Sequence, residues 1–316
     1  MKLAEVGFAE EIESLKREMN AIVLAHNYQL AEVQEVADFV GDSLALSRQA
    51  AQTNADVIVF CGVHFMAETA SILCPNKMVL IPDPKAGCSL ASTINADELR
   101  AWKKEHPEAV IVSYVNTTAE VKALSDYCCT SSNAVNVVNS IPKEHEILFL
   151  PDFFLGSYVA KMTGRRNMFI WPGECHVHAG IKAEDINDKL QKFTSAEFLI
   201  HPECGCTSST LYHVSTGEID VNVHVLSTDG MMRHVRESNA SQFVVATETG
   251  ILHRMKSENP DKAFIPVKED AVCKYMKMIT LEKVMNSLVK KQYEVKVQDQ
   301  IAEGARKSIM RMMQVS

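Results

Sequence analysis

The feature that most constrains this chain is an internal repeat, in which four kinds of segment recur three times in the same order. Each copy has an apolar strand, a short polar turn that opens a helix, a second strand with its helix, and a last strand followed by a loop with a cysteine. The loop cysteines are Cys88, Cys175 and Cys273, at intervals of roughly 90 residues, and an insertion around residues 206–218 lengthens the third copy. This pattern predicts three homologous structural units.

The apolar segments of the repeat predict the class of fold. They are short runs rich in Val, Ile and Leu, typical of strands buried on both faces of a parallel sheet, and the segments between them have helical spacing. We therefore expect an α/β fold of three homologous three-layer αβα units with parallel sheets around a pseudo-threefold axis, and one central active site. The expected units are residues 1–106 with an N-terminal helix, 107–194, and 195–316 with the C-terminal helices.

Charge and hydropathy argue against several classes of function. The net charge is −8 and no Lys- or Arg-rich run occurs, so nucleic-acid binding is not expected. No apolar run approaches the length of about 18 residues that a membrane span needs, and the N-terminal segment lacks the apolar core of a signal peptide. We therefore expect a cytoplasmic protein without membrane contact. In that reducing compartment, metal binding or catalysis explains some of the nine cysteines better than disulfides do.

The three repeated cysteines are candidate metal ligands. Cys88, Cys175 and Cys273 occupy equivalent places, so a threefold arrangement would bring them to one axis. Thiolates suit soft metals, here an iron–sulfur cluster or zinc. Three ligands on a four-iron cluster would leave one iron open to act as a Lewis acid. Buried structural cysteines are the simpler alternative, and Cys204 and Cys206 are reserve ligands.

Polar and aromatic side chains end the first strand of each copy. They are His26 and Tyr28, then Tyr114 and Asn116, then His201 and Glu203. Imidazole, phenol and carboxyl groups are what proton transfers require, so we expect these residues to share one site. Glu203 is the best candidate general base, because it lies at a turn where a carboxylate can face a cavity.

The three polar turns should form helix N-termini, with hydroxyl groups at Ser43, Ser131 and Thr228. Helix N-termini bind carboxylate or phosphate groups, although ordinary N-capping would explain any one turn alone. Three such turns around one axis would form a pocket for a small polyanion. The glycine motifs of nucleotide-binding proteins do not occur.

Two other classes of function stay open on these residues. His176 and His178 form an H-x-H pattern beside Cys175, which can ligate zinc, so a zinc-dependent hydrolase is one alternative. An iron–sulfur sensor or carrier is the other. Bound zinc without brown colour would identify the first, and a cluster without substrate turnover would identify the second.

Several motifs resemble those of a known family. They are AHNYQ with GDS, IPDPKAGCSLA, SYVNTTAEVKALSD, CCTSSNAV, PDFFLG, GECHVH, HPEC, ATETGILHRM, ENPDKAFIPV and CKYMKMITLEKV. On these stretches the chain resembles the quinolinate synthase family of de novo NAD biosynthesis. The resemblance implies the threefold αβα fold and an enzyme that condenses iminoaspartate with dihydroxyacetone phosphate to quinolinate, phosphate and water. It also implies one [4Fe–4S] cluster, whose open iron would assist dehydration as a Lewis acid.

The resemblance implies roles for individual residues as well. The cluster would be held by Cys88, Cys175 and Cys273. Proton transfer would fall to Tyr28, Tyr114, His201 and Glu203. Substrate contacts would come from His26, Ser43, Tyr114, Asn116, Ser131, His178, His201, Glu203 and Thr228. The implied partners are the two small-molecule substrates and, transiently, the enzyme that supplies iminoaspartate.

Overall fold

The computed structural model describes residues 3–210 and 222–315, and within these ranges the backbone forms three sheets of four strands. Neighbouring strands of each sheet are parallel. Each sheet has its second strand at one edge, followed by its first, third and fourth strands. This shared order confirms the prediction of three αβα units. Most of the predicted insertion after Cys206 lies outside the described residues.

The first sheet is built from the N-terminal part of the chain. Its strands are β1 (Ala21–His26), β2 (Phe39–Gly41), β3 (Val57–Cys61) and β4 (Met78–Leu80). Its helices are α1 (Leu3–Glu18), α2 (Ala31–Glu35), α3 (Ser43–Gln52) and α4 (His64–Leu73). Every residue of β3 is buried, as expected for a strand covered by helices on both faces.

The second sheet follows α5 (Ala96–Glu105), which begins with a capping box between Asn95 and Glu98. Its strands are β5 (Val110–Tyr114), β6 (Tyr127–Cys129), β7 (Ile147–Leu150) and β8 (Met168–Ile170). Its other helices are α6 (Ala119–Ala123), α7 (Ala134–Ser140) and α8 (Phe153–Thr163). The strand order is the same as in the first sheet, so β5 holds the position of β1.

The third sheet follows α9 (Ala183–Lys192). Its strands are β9 (Glu197–Ile200), β10 (Val223–Val225), β11 (Gln242–Ala246) and β12 (Ala263–Pro266). Its other helices are α10 (Thr228–Glu237) and α11 (Ile251–Glu258). Helix α10 is amphipathic, because it buries Met231, Met232 and Val235 and leaves Arg233 exposed. In the described part of the chain, no helix is long and apolar enough to cross a membrane.

Two C-terminal helices, α12 (Leu281–Lys290) and α13 (Asp299–Gln314), pack against the first two units. Helix α12 lies against α1, and α13 lies against α4 and α6. The Arg306 guanidinium donates to the Ile72 carbonyl at 2.7 Å, which fixes α13 to the end of α4. The C-terminal segment therefore packs against the first and second units, although it follows the third unit in sequence. The predicted domain boundaries themselves stay a prediction.

Candidate active site

One cavity lies where residues that follow strands of all three sheets meet. It contains about 710 Å³ of empty space, counted together with its opening to solvent. It is lined by all thirteen residues that the sequence predicted: His26, Tyr28, Ser43, Cys88, Tyr114, Asn116, Ser131, Cys175, His178, His201, Glu203, Thr228 and Cys273. The structure therefore brings the predicted residues together, while their individual roles stay predictions.

The strand order explains this convergence. Strand β1 ends at His26, β5 ends at Tyr114, and His201 directly follows β9. These three strands hold the same position in their sheets, beside the point where the strand order reverses. Ligands of open parallel sheets bind outside the carboxyl ends of the strands at such a point. Equivalent side chains of the three units consequently face one space.

Each repeated cysteine begins a turn of helical character. In all three turns the cysteine carbonyl accepts a hydrogen bond from the N–H group four residues later, at 2.8–3.2 Å. The backbone N–H groups two and three residues after each cysteine lie near its sulfur and lower the pKa of the thiol. Such N–H groups favour a thiolate. Burial acts in the opposite direction and raises the pKa of Cys88 to about 12, so a bound metal would have to displace that proton.

The spacing of the three sulfur atoms does not suit one metal ion. A tetrahedral zinc ion with Zn–S distances of about 2.3 Å holds its sulfurs less than about 4 Å apart. Within the described ranges, the groups of ligand atoms that lie within 4.8 Å of one another do not include the three cysteines. Three soft ligands at a wider spacing favour a metal group larger than a single ion.

A buried carboxylate lies between two imidazoles on the third-unit side of the cavity. Glu203 Oε2 lies 3.3 Å from His178 Nδ1 and 3.2 Å from His201 Nδ1. Burial alone would raise the pKa of Glu203, but His178, His201 and the Tyr114 hydroxyl together lower it. Burial lowers the pKa of His178 to about 4, although Glu203 opposes the shift. At neutral pH the site therefore holds an ionised Glu203 beside a neutral His178.

Tyr28 belongs to a short hydrogen-bonded chain. Its hydroxyl lies 2.6 Å from Thr247 Oγ1 and 3.3 Å from His178 Nε2, and these two partners lie 2.9 Å from each other. Burial and the negative charge of Glu203 hold the pKa of Tyr28 well above its ordinary value. The phenol therefore carries its proton at neutral pH, and the neutral His178 can accept a hydrogen bond from it.

The hydroxyl groups of Ser43 and Thr228 in the predicted polar turns do not cap their helices. Asp42 caps α3 by accepting from Ala45 N at 2.8 Å, and Ser227 caps α10 by accepting from Gly230 N at 3.1 Å. Ser43 and Thr228 are thus the first helical residues, not the caps, and both line the cavity. N-capping, which was the simpler explanation of these turns, is carried out by the preceding residues Asp42 and Ser227.

The three turns also contact one another. Ser132 Oγ lies 2.6 Å from Asp42 Oδ2 and 3.0 Å from Ser227 Oγ, so one hydroxyl connects a turn from each unit. Ser131 Oγ lies 3.2 Å from His201 Nε2. The turns therefore lie side by side at the cavity, as expected for a pocket that binds a small polyanion.

The other candidate ligands lie differently. Cys204 and Cys206 are fully buried and do not line the cavity, and Cys204 Sγ donates to the Ala246 carbonyl at 3.1 Å. His176 also lines the cavity, and its Nδ1 lies 2.7 Å from Ser89 Oγ. The close trio at the site is instead His178, His201 and Glu203, whose ligand atoms lie within 4.8 Å of one another. His176 is not a member of this trio.

Comparison with known proteins decides the family. A family model described as "Quinolinate synthetase A protein" matches residues 10–314. The chain belongs to this family. It is 57% identical over 309 residues to a protein of Thermus thermophilus named quinolinate synthase, covering 98% of this chain and 97% of that relative. It is 55% identical to a quinolinate synthase of Mycobacterium tuberculosis, covering 98% of this chain and 88% of that relative.

One solved structure resembles the chain only weakly. It is the E-1-hydroxy-2-methyl-but-2-enyl-4-diphosphate reductase of Plasmodium falciparum, with a TM-score of 0.35 and 13% identity over 91% of this chain and 94% of its own. That similarity carries no argument about fold or function. The quinolinate synthase relatives are enzymes, and family membership makes this chain an enzyme too.

A carboxylate that the sequence did not single out, Glu248, supports the Cys273 loop. Glu248 lines the cavity and is buried. Its Oε1 accepts from Cys273 N at 3.0 Å and pairs with Lys277 Nζ at 3.0 Å, and its Oε2 accepts from Gly250 N at 2.7 Å. Glu248 lies in the ATETG motif, but only the folded chain shows that the carboxylate holds the backbone of a cysteine 25 residues away.

We predict that Glu248→Gln weakens metal retention without removing a ligand. The amide has one oxygen where the carboxylate has two. Either the Cys273 N–H or the Gly250 N–H therefore loses its acceptor and faces an NH₂ group instead. We expect metal affinity to fall by about 10–100-fold, the usual effect of changing a residue that orients a ligand. The measurement is iron content per chain after anaerobic purification and the rate of iron loss to a chelator.

Glu269→Gln is the matched control, because Glu269 is an exposed carboxylate in the same segment. It should retain iron like the unmodified enzyme. Equal iron retention by Glu248→Gln and Glu269→Gln would show that the Cys273 loop does not depend on Glu248.

Proposed function

We propose that the chain condenses iminoaspartate with dihydroxyacetone phosphate to give quinolinate, phosphate and two molecules of water. The observation that carries this proposal is the convergence of one cysteine from each unit with buried acid–base groups in one cavity. Family membership supports the same reaction, since the named relatives are quinolinate synthases.

The proposed cofactor is a [4Fe–4S] cluster bound by Cys88, Cys175 and Cys273. The donor set fits it, because all three ligands are thiols, each sulfur faces two backbone N–H groups, and their spacing exceeds that of a single-ion site. When bound, the cluster supplies a Lewis acid for dehydration, since three cysteines leave one iron of the four without a protein ligand.

The proposed general base is Glu203. Forming the carbon–carbon bond and closing the ring require proton removal from carbon and nitrogen, and Glu203 is ionised within the cavity. His201 and His178 contact its carboxylate and can pass protons to and from it. The raised pKa values of Tyr28 and Tyr114 keep both phenols protonated at neutral pH, so they can donate hydrogen bonds to the oxygen atoms of substrate.

The proposed carboxylate and phosphate site lies at the three polar turns. Ser43, Ser131 and Thr228 offer hydroxyl groups there, and α3 and α10 begin at two of these residues, Ser43 and Thr228. Asn116 Oδ1 is buried without a hydrogen-bond partner among the described residues. Because such an atom is costly to leave unpaired, we assign it to accept a hydrogen bond from substrate. Burial also lowers the pKa of His26 to about 3, so His26 is neutral at neutral pH before substrate binds.

Enclosure of the cavity supports the choice of substrate. Iminoaspartate is an imine that water hydrolyses, and part of the cavity wall consists of buried apolar residues such as Val63, Phe65 and Met66. The same lability implies that an enzyme producing iminoaspartate supplies it directly, by transient contact.

A zinc-dependent hydrolase is the second candidate, because His178, His201 and Glu203 form a compact set of three ligands. In that enzyme the three cysteines would have no role. Zinc analysis distinguishes the two candidates, since the hydrolase would hold zinc at His178 and His201 and would remain active after loss of iron.

We expect anaerobically purified protein to form quinolinate and phosphate in equal amounts from the two substrates. Dihydroxyacetone without phosphate is the control, and it should give little product because the leaving group is missing. Protein that contains a full cluster yet forms no quinolinate would contradict the proposed reaction and favour the sensor or carrier.

A further inference from the structure

A second group of metal-binding side chains lies in the third unit, outside the cavity. Glu197 begins β9, His224 lies in β10 and His234 lies in α10. Their ligand atoms lie within 4.8 Å of one another, and none of the three lines the cavity. Glu197 and the cavity residue His201 are at opposite ends of β9, about 13 Å apart along the strand. The group is therefore separate from the proposed active site.

The two imidazoles face the same carboxylate oxygen. His234 Nε2 lies 2.6 Å and His224 Nε2 3.8 Å from Glu197 Oε2, and the imidazole ring centroids are 4.0 Å apart. The hydrogen bond between His234 and Glu197 explains the position of these two side chains, but it does not explain His224. His224 Nε2 is a buried nitrogen without a hydrogen-bond partner among the described residues, which costs stability unless a ligand pairs with it.

We propose that Glu197, His224 and His234 bind a divalent transition-metal ion of the zinc type. Two imidazoles and one carboxylate are a common ligand set for zinc, whereas calcium and magnesium prefer oxygen ligands only. The ion would give His224 Nε2 its missing partner. The His224 and His234 side chains are 33% and 24% exposed, so the group lies near the protein surface.

Bound metal would connect three elements of the third unit. Its ligands come from β9, β10 and α10, and α10 begins at Thr228, which lines the cavity. The ion would therefore fix α10 against the edge of its sheet and act as a structural metal. It would raise the stability of the folded state in proportion to its occupancy, as any ligand does that binds only the folded chain.

The test is zinc binding by the cluster-loaded enzyme, with His224→Gln as the variant and His253→Gln as the control. His253 is a partly exposed histidine 3.6 Å from Glu35, a pair without a third ligand. After incubation with zinc chloride and gel filtration, we expect the unmodified enzyme and His253→Gln to retain about one more zinc ion per chain than His224→Gln. Zinc should also raise the Tm of the first two proteins only.

His234→Gln provides a second variant if His224→Gln folds poorly, and it should lose the same zinc ion. Iron is measured in each sample, so that zinc entering the cysteine site is recognised by iron loss. Equal zinc content in the unmodified enzyme and both variants, or no zinc retained by the unmodified enzyme, would overturn the proposal. Neither result bears on quinolinate formation, which is measured separately.

Discussion

Cys273→Ser is expected to lose the cluster and, with it, quinolinate formation. Serine oxygen is a harder and more basic ligand than thiolate, and one of only three protein ligands would be replaced. We expect activity to fall by more than about 100-fold, since even changes outside the ligands reduce metal binding by about 10–100-fold. Cys88→Ser and Cys175→Ser should behave alike, because the three cysteines begin equivalent turns around one cavity. Iron and sulfide content per chain is the measurement.

Cys61→Ala is the matched control for these variants. Cys61 is fully buried at the end of β3 and does not line the cavity, so its loss should reduce stability modestly and leave the iron content unchanged. Full iron loading in any one of the three serine variants would remove that cysteine from the ligand set.

Glu203→Gln is expected to separate chemistry from binding. The amide keeps the shape of the side chain but cannot take a proton, so kcat should fall by about 10²–10⁴-fold, the usual contribution of a general base. KM should change much less, because the cavity keeps its polar turns and its hydrogen-bond donors. Iron content should be unchanged, since Glu203 is not among the proposed ligands. Steady-state kinetics on cluster-loaded protein is the measurement.

Glu174→Gln provides the comparison for this variant. Glu174 is an exposed carboxylate beside Cys175, and its loss should leave kcat unchanged. A kcat of Glu203→Gln close to that of Glu174→Gln would remove Glu203 from the mechanism. A raised KM with unchanged kcat would instead assign it to substrate binding.

The strands and the residues that directly follow them could be predicted from local sequence patterns. Short apolar runs predict buried parallel strands, and residues after such strands lie at the carboxyl edge of a sheet. His26, Tyr114 and His201 were located by that rule alone. Threefold repetition predicted that Cys88 and the other two loop cysteines would share one site, and all three line the cavity.

The contacts between units could not be predicted in this way. Asn27 Nδ2 donates to Thr228 Oγ1 at 3.2 Å across 201 positions of sequence, and Ser132 connects Asp42 with Ser227. No local periodicity encodes such pairs. For the same reason the sequence did not predict that the histidine beside His178 at Glu203 is His201, which comes from another segment.

The central claim is that one cysteine from each of the three units holds a single cluster in a quinolinate-forming site. The most direct measurement is iron, sulfide and zinc analysis of anaerobically purified protein, with quinolinate turnover assayed on the same sample. The account predicts about four iron and four sulfide per chain, no zinc at the cysteines, and turnover that falls in proportion to the iron lost. Full turnover by protein that contains no iron would contradict it.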